Sequence, residues 1–165
     1  MKTKLYTFIE QAAIEEKISQ LQKVKNGSMT PKELAAKITE RRVNWMIANL
    51  HLLEKYSHLP PEEMAHRIIC LEHMNINPGH SKVRRIEEGV IRINSYNFCP
   101  YLIACRELEM DTRFVCKEIG EPSIIEMCKL INPNLTFLRD YTQLRPHFPH
   151  FCREYIIDTR NNLLD

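Results

Sequence analysis

A chain of 165 residues with 44% hydrophobic and 27% charged residues has material for one sizeable core and enough polar surface to cover it. A formal net charge of +2 says little about partners, and nucleic acid, which it does not imply, is not expected among them. No run approaches the roughly 20 apolar residues that span a bilayer, and Met1 to Glu10 lacks the apolar stretch of a secretory signal; the expectation is a cytoplasmic protein with no membrane partner.

From residue 4 to 25, Leu5, Phe8, Ile9, Ala12, Ile18 and Leu21 recur largely at helical spacings with charges between them, which predicts an amphipathic helix stopped at Asn26-Gly27. Gly27-Ser28-Met29 also has the form of a cloning scar that would set the native start at Met29. The native reading is preferred, because the preceding helix does not resemble an affinity tag. Thr30, Pro31 and Glu33 make a capping box and open a second helix, expected to run to about Tyr56. Apolar residues from Leu34 to Tyr56 cover more than one stripe of that helix, as contact with two neighbours would require. A homodimer through the N-terminal helices is one way to supply the second. Pro60-Pro61-Glu62-Glu63 restarts the chain into a third helix ending near Met74.

After the turn at Asn75 to Ser81 the pattern approaches a two-residue period, which predicts a strand over about 87 to 96. Cys99-Pro100 then opens a short helix from Tyr101 to Glu109, and Asp111 or Thr112 can cap another that carries Cys116. Gly120-Glu121-Pro122 is expected to separate it from a helix over 123 to 131. Strands at 135 to 144 and 151 to 157 should pair as a hairpin across Arg145-Pro146-His147-Phe148-Pro149. The order predicts an α+β fold: N-terminal helices, then a small, mostly antiparallel sheet with short helices. The organisation expected is a helical region over 1–82 and a cysteine-containing region over 83–165 that form one unit.

Five of the six cysteines lie between residues 99 and 152. Without secretory marks, free thiols or metal ligands are expected rather than disulfides. Cys99, Cys116 and Cys152 each sit at the edge of a different predicted element, so the fold can bring them together. Cys99 precedes a helix start, where free N–H groups and the dipole favour a thiolate of lowered pKa. A thiolate serves as nucleophile or as metal ligand, and the sequence leaves both open beside a plain buried residue. Cys128, among apolar neighbours, reads as core. The intervals lack the short gaps of a zinc knuckle, yet three thiolates joined by the fold could hold a transition metal or an iron–sulfur cluster. His147 and His150 flank Phe148-Pro149 near Cys152, and one of them is the candidate base or fourth ligand. Arg139 and Arg145 are candidates to anchor the carboxylate of a small-molecule ligand. Lys82, Arg84 and Arg85 read as a solvated strand start. Phosphate loops and nucleophile-elbow serines are absent from a chain with four glycines.

Phe98-Cys99-Pro100, Phe114-Val115-Cys116, Ile131-Asn132-Pro133-Asn134-Leu135 and His150-Phe151-Cys152-Arg153-Glu154 resemble segments of the L-2-amino-thiazoline-4-carboxylic acid hydrolase-like family. More distantly, they are similar to 4-vinyl reductase-type ligand-binding domains. The resemblance covers about residues 88 to 158. It implies an α+β fold and, for some members, hydrolysis of a cyclic C–N bond in a small sulfur heterocycle. It carries over Cys99, Cys116 and Cys152. The family's glycine-containing turn before the last cysteine is replaced here by residues 145 to 149. A small-molecule hydrolase is therefore the leading expectation, and a metal, cluster or ligand-binding module without turnover is its rival.

Overall fold

The computed structural model describes residues 6–161. Helix α1 (Phe8–Lys25) starts at Thr7, whose side chain accepts from the Glu10 N–H while Glu10 accepts from the Thr7 N–H. The expected start at residue 4, with Leu5, lies outside the described residues. The buried face of α1 is Ile14, Lys17 and Leu21, whereas Phe8 and Ile9 stand in solvent, 89% and 79% exposed. Gly27 takes φ 81° just beyond the helix, a conformation in which a side chain is strained. Thr30 and Glu33 then close the expected capping box on α2 (Pro31–Ala48).

That second helix stops short of Tyr56. The Asn49 side-chain amide donates to the Trp45 carbonyl at 2.8 Å, an alternative to the helical ladder that Asn readily supplies, and a short α3 (His51–Lys55) resumes after it. Helix α4 (Pro61–His66) runs without interruption into a π-helical turn, Arg67–His73. The expected strand at 87 to 96 is instead a hairpin, β1 (Ser81–Glu87) and β2 (Val90–Ser95), turned at Gly89 with φ 75°. A Cβ at Gly89 would also meet the Asn161 side chain at 2.5 Å. Strand β1 escapes the sequence pattern because it is an exposed edge strand with no buried stripe.

Helix α5 (Pro100–Glu107) forms where Pro100 predicts it. The break expected at Gly120-Glu121-Pro122 does not occur. Helix α6 (Thr112–Val115), a π-helical turn (Cys116–Gly120) and α7 (Glu121–Ile131) follow one another directly. Gly120 is helical, and Pro122 lies two residues past the π-helical turn, whose widened backbone precedes the position where proline removes a helical N–H. Strands β3 (Leu135–Asp140) and β4 (Cys152–Asp158) pair as the expected hairpin, and the sheet order is β1-β2-β4-β3, antiparallel throughout. The fold is α+β.

Helices α4 and α7 lie against the sheet, and α2 lies along α7. Between them Met46, Ile68, Ile91, Ile93, Met127 and Ile156 are almost wholly buried. Each such side chain contributes about 1.5–3 kcal/mol of transfer free energy. This core takes residues from both sides of position 82, so the helical and cysteine-containing regions share it. A second core joins α1, α2 and α5 around Leu21, Leu34, Ile38, Cys105 and Ile119. All six cysteines are free. No helix among the described residues is long and apolar enough to cross a membrane.

Candidate functional site

Between the start of α5 and the loop that leads to β4 lies a cavity of about 630 Å³, and Cys99, Arg145 and His147 all contribute to its wall. Cys99 is the N-cap of α5, as its place before Pro100 predicts. Its sulfur makes no capping hydrogen bond, but the nearby backbone N–H groups of Leu102 and Tyr101 and the charge of Arg145 favour the thiolate. Burial nevertheless outweighs these contributions and raises the thiol's pKa, with Cys152 pushing the same way. The lowered pKa expected from the helix start is thus reversed by desolvation.

Arg145 ties three elements together. Its Nε donates to Cys152 Sγ at 3.4 Å at the first residue of β4, and its Nη1 donates to the Asn97 carbonyl at 3.0 Å, just before α5. Its own carbonyl accepts from Thr112 Oγ1 at 3.0 Å, at the start of α6. Among the described residues no carboxylate pairs with this guanidinium, and it faces the cavity. His147 Nε2 lies 3.1 Å from Asp111 Oδ1. Asp111 also caps α6 and holds Arg113, and these hydrogen bonds, with that of His147, keep its carboxyl far below the usual range. Leu102, Ile103 and Met110 give the cavity an apolar side.

The remaining predicted residues divide. Arg139 does not share this cavity: its Nη2 and Nε donate to Glu154 Oε1 at 2.6 and 3.0 Å, and both side chains are mostly buried. Burial alone would lower the Arg139 pKa, but Glu154 overrides it and the guanidinium stays charged. Its Nη1 also donates to the Cys116 carbonyl at 3.5 Å. Cys116, at the junction of α6 and the π-helical turn, is pushed up to about 12 by burial; Cys99, Cys152 and Cys105 add to the rise and Arg139 opposes it. Cys105 and Cys128 are buried in the two cores, each pushed up to about 12 by that burial. His150 lines a different hollow, beside Lys82 and Arg92.

Comparison with family models, curated proteins and solved structures finds no match to the chain. The site therefore has to be read from its own chemistry. Among the described residues no group of three or more His, Cys, Asp or Glu side chains is arranged to hold a metal ion. Of the three thiols expected as ligands, Cys99 and Cys116 have their pKa raised by burial, and Cys152 accepts from Arg145 Nε. As arranged, they do not fit a transition metal or an iron–sulfur cluster. What the cavity does combine is a thiol at a helix start, an unpaired guanidinium, an imidazole oriented by a carboxylate and an apolar wall.

Two contributors were outside the sequence reading. Asp111 is visible there only as a helix cap, and nothing in the spacing announces that His147, in a distant loop, shares its carboxylate. Thr112 reads as an alternative cap, yet it is 5% exposed and holds the Arg145 backbone.

Proposed function

We propose that the chain is a small-molecule hydrolase that opens a cyclic C–N bond in a carboxylated heterocycle bound beside Cys99. The observation that carries this reading is the convergence on one cavity of Cys99, the carboxylate-free guanidinium of Arg145, and His147 held by Asp111. Arg145 anchors the ligand carboxylate through its unused donors. His147 accepts the Cys99 proton as the sulfur attacks the electron-poor ring carbon. The C–N bond then breaks, and the nitrogen leaves with the proton that His147 returns. Water, deprotonated by the same imidazole, releases the product from sulfur. A thiol that burial holds protonated at rest is activated only when the ligand and base are in place. The resemblance of residues 88 to 158 to the amino-thiazoline carboxylate hydrolase-like family supports the substrate class.

The protonated resting thiol also favours a second reading, a ligand-binding module without turnover. Incubation with 2-amino-thiazoline-4-carboxylate, followed by chromatography of the ring-opened product, separates the two. Turnover that disappears in Cys99→Ser, and whose KM rises in Arg145→Ala with partial recovery in Arg145→Lys, supports the enzyme. Turnover unchanged in Cys99→Ser overturns it, and saturable binding with no product selects the binding module.

A further inference from the structure

The helices pack on one face of the sheet, the face of Ile91, Ile93 and Ile156, and leave the other to solvent. Strand alternation places Lys82 and Arg84 of β1, Arg92 and Asn94 of β2 and Arg153 and Tyr155 of β4 on that open face. Arg84 stands directly opposite Arg92 in register, a pairing in which like charges destabilise the sheet. Among the described residues none of Lys82, Arg84, Arg92 or Arg153 forms an ion pair. Arg85, on the covered face, reaches both Glu62 and Glu63. Asp140 lies opposite Arg153 on the far strand; its carboxylate accepts from the Thr142 N–H and hydroxyl, and its pKa is lowered by those bonds and, to a smaller degree, by the charge of Arg153. Glu87 lies beyond the irregularity at the hairpin end of β1. The sheet thus holds an arginine pair that forms no ion pair with any carboxylate among the described residues.

This face is also concave. Tyr96, His150 and Phe151 rise beside Lys82, Arg84 and Arg92 around a hollow of about 420 Å³, within the range of small-ligand sites. Arg153 holds two of its lining residues, with its guanidinium 5.2 Å over the Phe151 ring and its Nε donating to Asn94 Oδ1 at 3.2 Å. Neighbouring strands are about 4.8 Å apart, so the three unpaired cations are close enough to share one multiply charged group. Aromatic rings at the rim offer a stacking surface for a flat heterocycle.

We propose that this hollow binds a nucleoside diphosphate, with the linked phosphates on Lys82, Arg84 and Arg92 and the base against the aromatic rim. The ligand supplies the negative charge that the Arg84–Arg92 pair lacks, and the arginine forks match phosphate oxygens. The site shares Tyr96 with the wall of the cavity at Cys99 but none of its cations, and it does not depend on the reading given for that cavity.

Calorimetric titration of the full chain with ADP, adenosine, inorganic phosphate and oligouridylate tests the proposal. Saturable binding of ADP at one per chain is expected, with adenosine and phosphate each about tenfold weaker or worse and affinity falling as salt rises. Arg92→Thr should weaken ADP by about tenfold and Arg84→Thr with Arg92→Thr should abolish binding, while the melting temperature of both variants stays level or rises because the repulsion is relieved. Arg145→Ala should leave ADP affinity within about twofold, since that residue belongs to the other cavity. No saturable binding of ADP, undiminished binding in the double variant, an equal loss in Arg145→Ala, or binding of oligouridylate without ADP would each overturn the assignment.

Discussion

Arg139 and Arg145 bracket the start of one loop and meet opposite fates. Arg139 is on β3, where register sets it against Glu154 of β4, and the two form a mostly buried ion pair. Arg145 is past the end of that strand, where its neighbours are a thiol and a backbone carbonyl, and its remaining donors face a cavity. Both are cationic, partly withdrawn from water and close to cysteines. The difference teaches that availability for a ligand is set by pairing: a guanidinium whose fork is filled by a carboxylate holds the fold together, and one left short of an acceptor can recruit one from outside.

The largest effect expected follows from removing the carboxylate. Glu154→Ala leaves the Arg139 charge buried and uncompensated, and urea unfolding should show a loss of about 3–5 kcal/mol. A loss under about 1 kcal/mol would erase the contrast. Next comes a buried group with a ring nitrogen that has no hydrogen-bond partner among the described residues. His66 is 9% exposed with its Nε2 unsatisfied among the described residues, and burial lowers its pKa to about 4. Between that value and the unfolded pKa of about 6.5, the unfolded chain binds more protons, so stability should fall as pH drops through this window, by roughly 2–3 kcal/mol from His66. Urea midpoints at neutral and acid pH, with His66→Leu showing the shallower dependence, check this.

Arg145→Ala should behave in the reverse sense to the change at Glu154. It should cost about 1.5–2 kcal/mol of stability, well under the loss at Glu154, yet weaken a carboxylate ligand of the Cys99 cavity by about tenfold or more, as read by titration. Equal damage to folding would mean that Arg145 belongs with Arg139 as a structural cation. The smallest expected change is Thr112→Val, which deletes the hydroxyl that holds the Arg145 carbonyl while keeping the buried shape. About 1 kcal/mol of stability should be lost, with a few-fold loss of ligand affinity, because the guanidinium is retained but less firmly placed.

Much of the local structure is readable from the chain, because its signals are short-range. Pro100 marks the start of α5 and puts Cys99 at its cap; Thr30-Pro31 does the same for α2; the β3–β4 hairpin follows from two β-rich runs. Features that depend on the whole fold are less legible. The fates of Arg139 and Arg145 turn on the β3–β4 register, which sets Arg139 opposite Glu154; strands expected over 135 to 144 and 151 to 157 do not fix it, because β3 ends at Asp140 and the loop is longer than the sequence pattern suggests. The Asp111–His147 pair carries no such signal, because a loop brings the imidazole to a cap from far along the chain. Edge strand β1 was hidden by its exposure. The raised pKa of Cys99 is not legible, because the helix start is visible in sequence and the burial that overrides it is not.

The π-helical turn at Cys116–Gly120 carries a consequence for how this protein can vary in length. Such a turn accommodates an extra residue within a helix and keeps the following turns in phase, whereas an extra or missing residue in regular α-helix rotates everything beyond it by about 100°. A homologue shorter by one residue in this stretch could close it as plain α-helix and still present Ile124, Met127 and Cys128 of α7 to the core. The same deletion in the middle of α2 would swing Ile38 and Met46 off their neighbours. Single-residue insertions and deletions should therefore be found between Cys116 and Gly120 far more readily than within α2, and a library of one-codon deletions scored for soluble expression would show that unevenness directly.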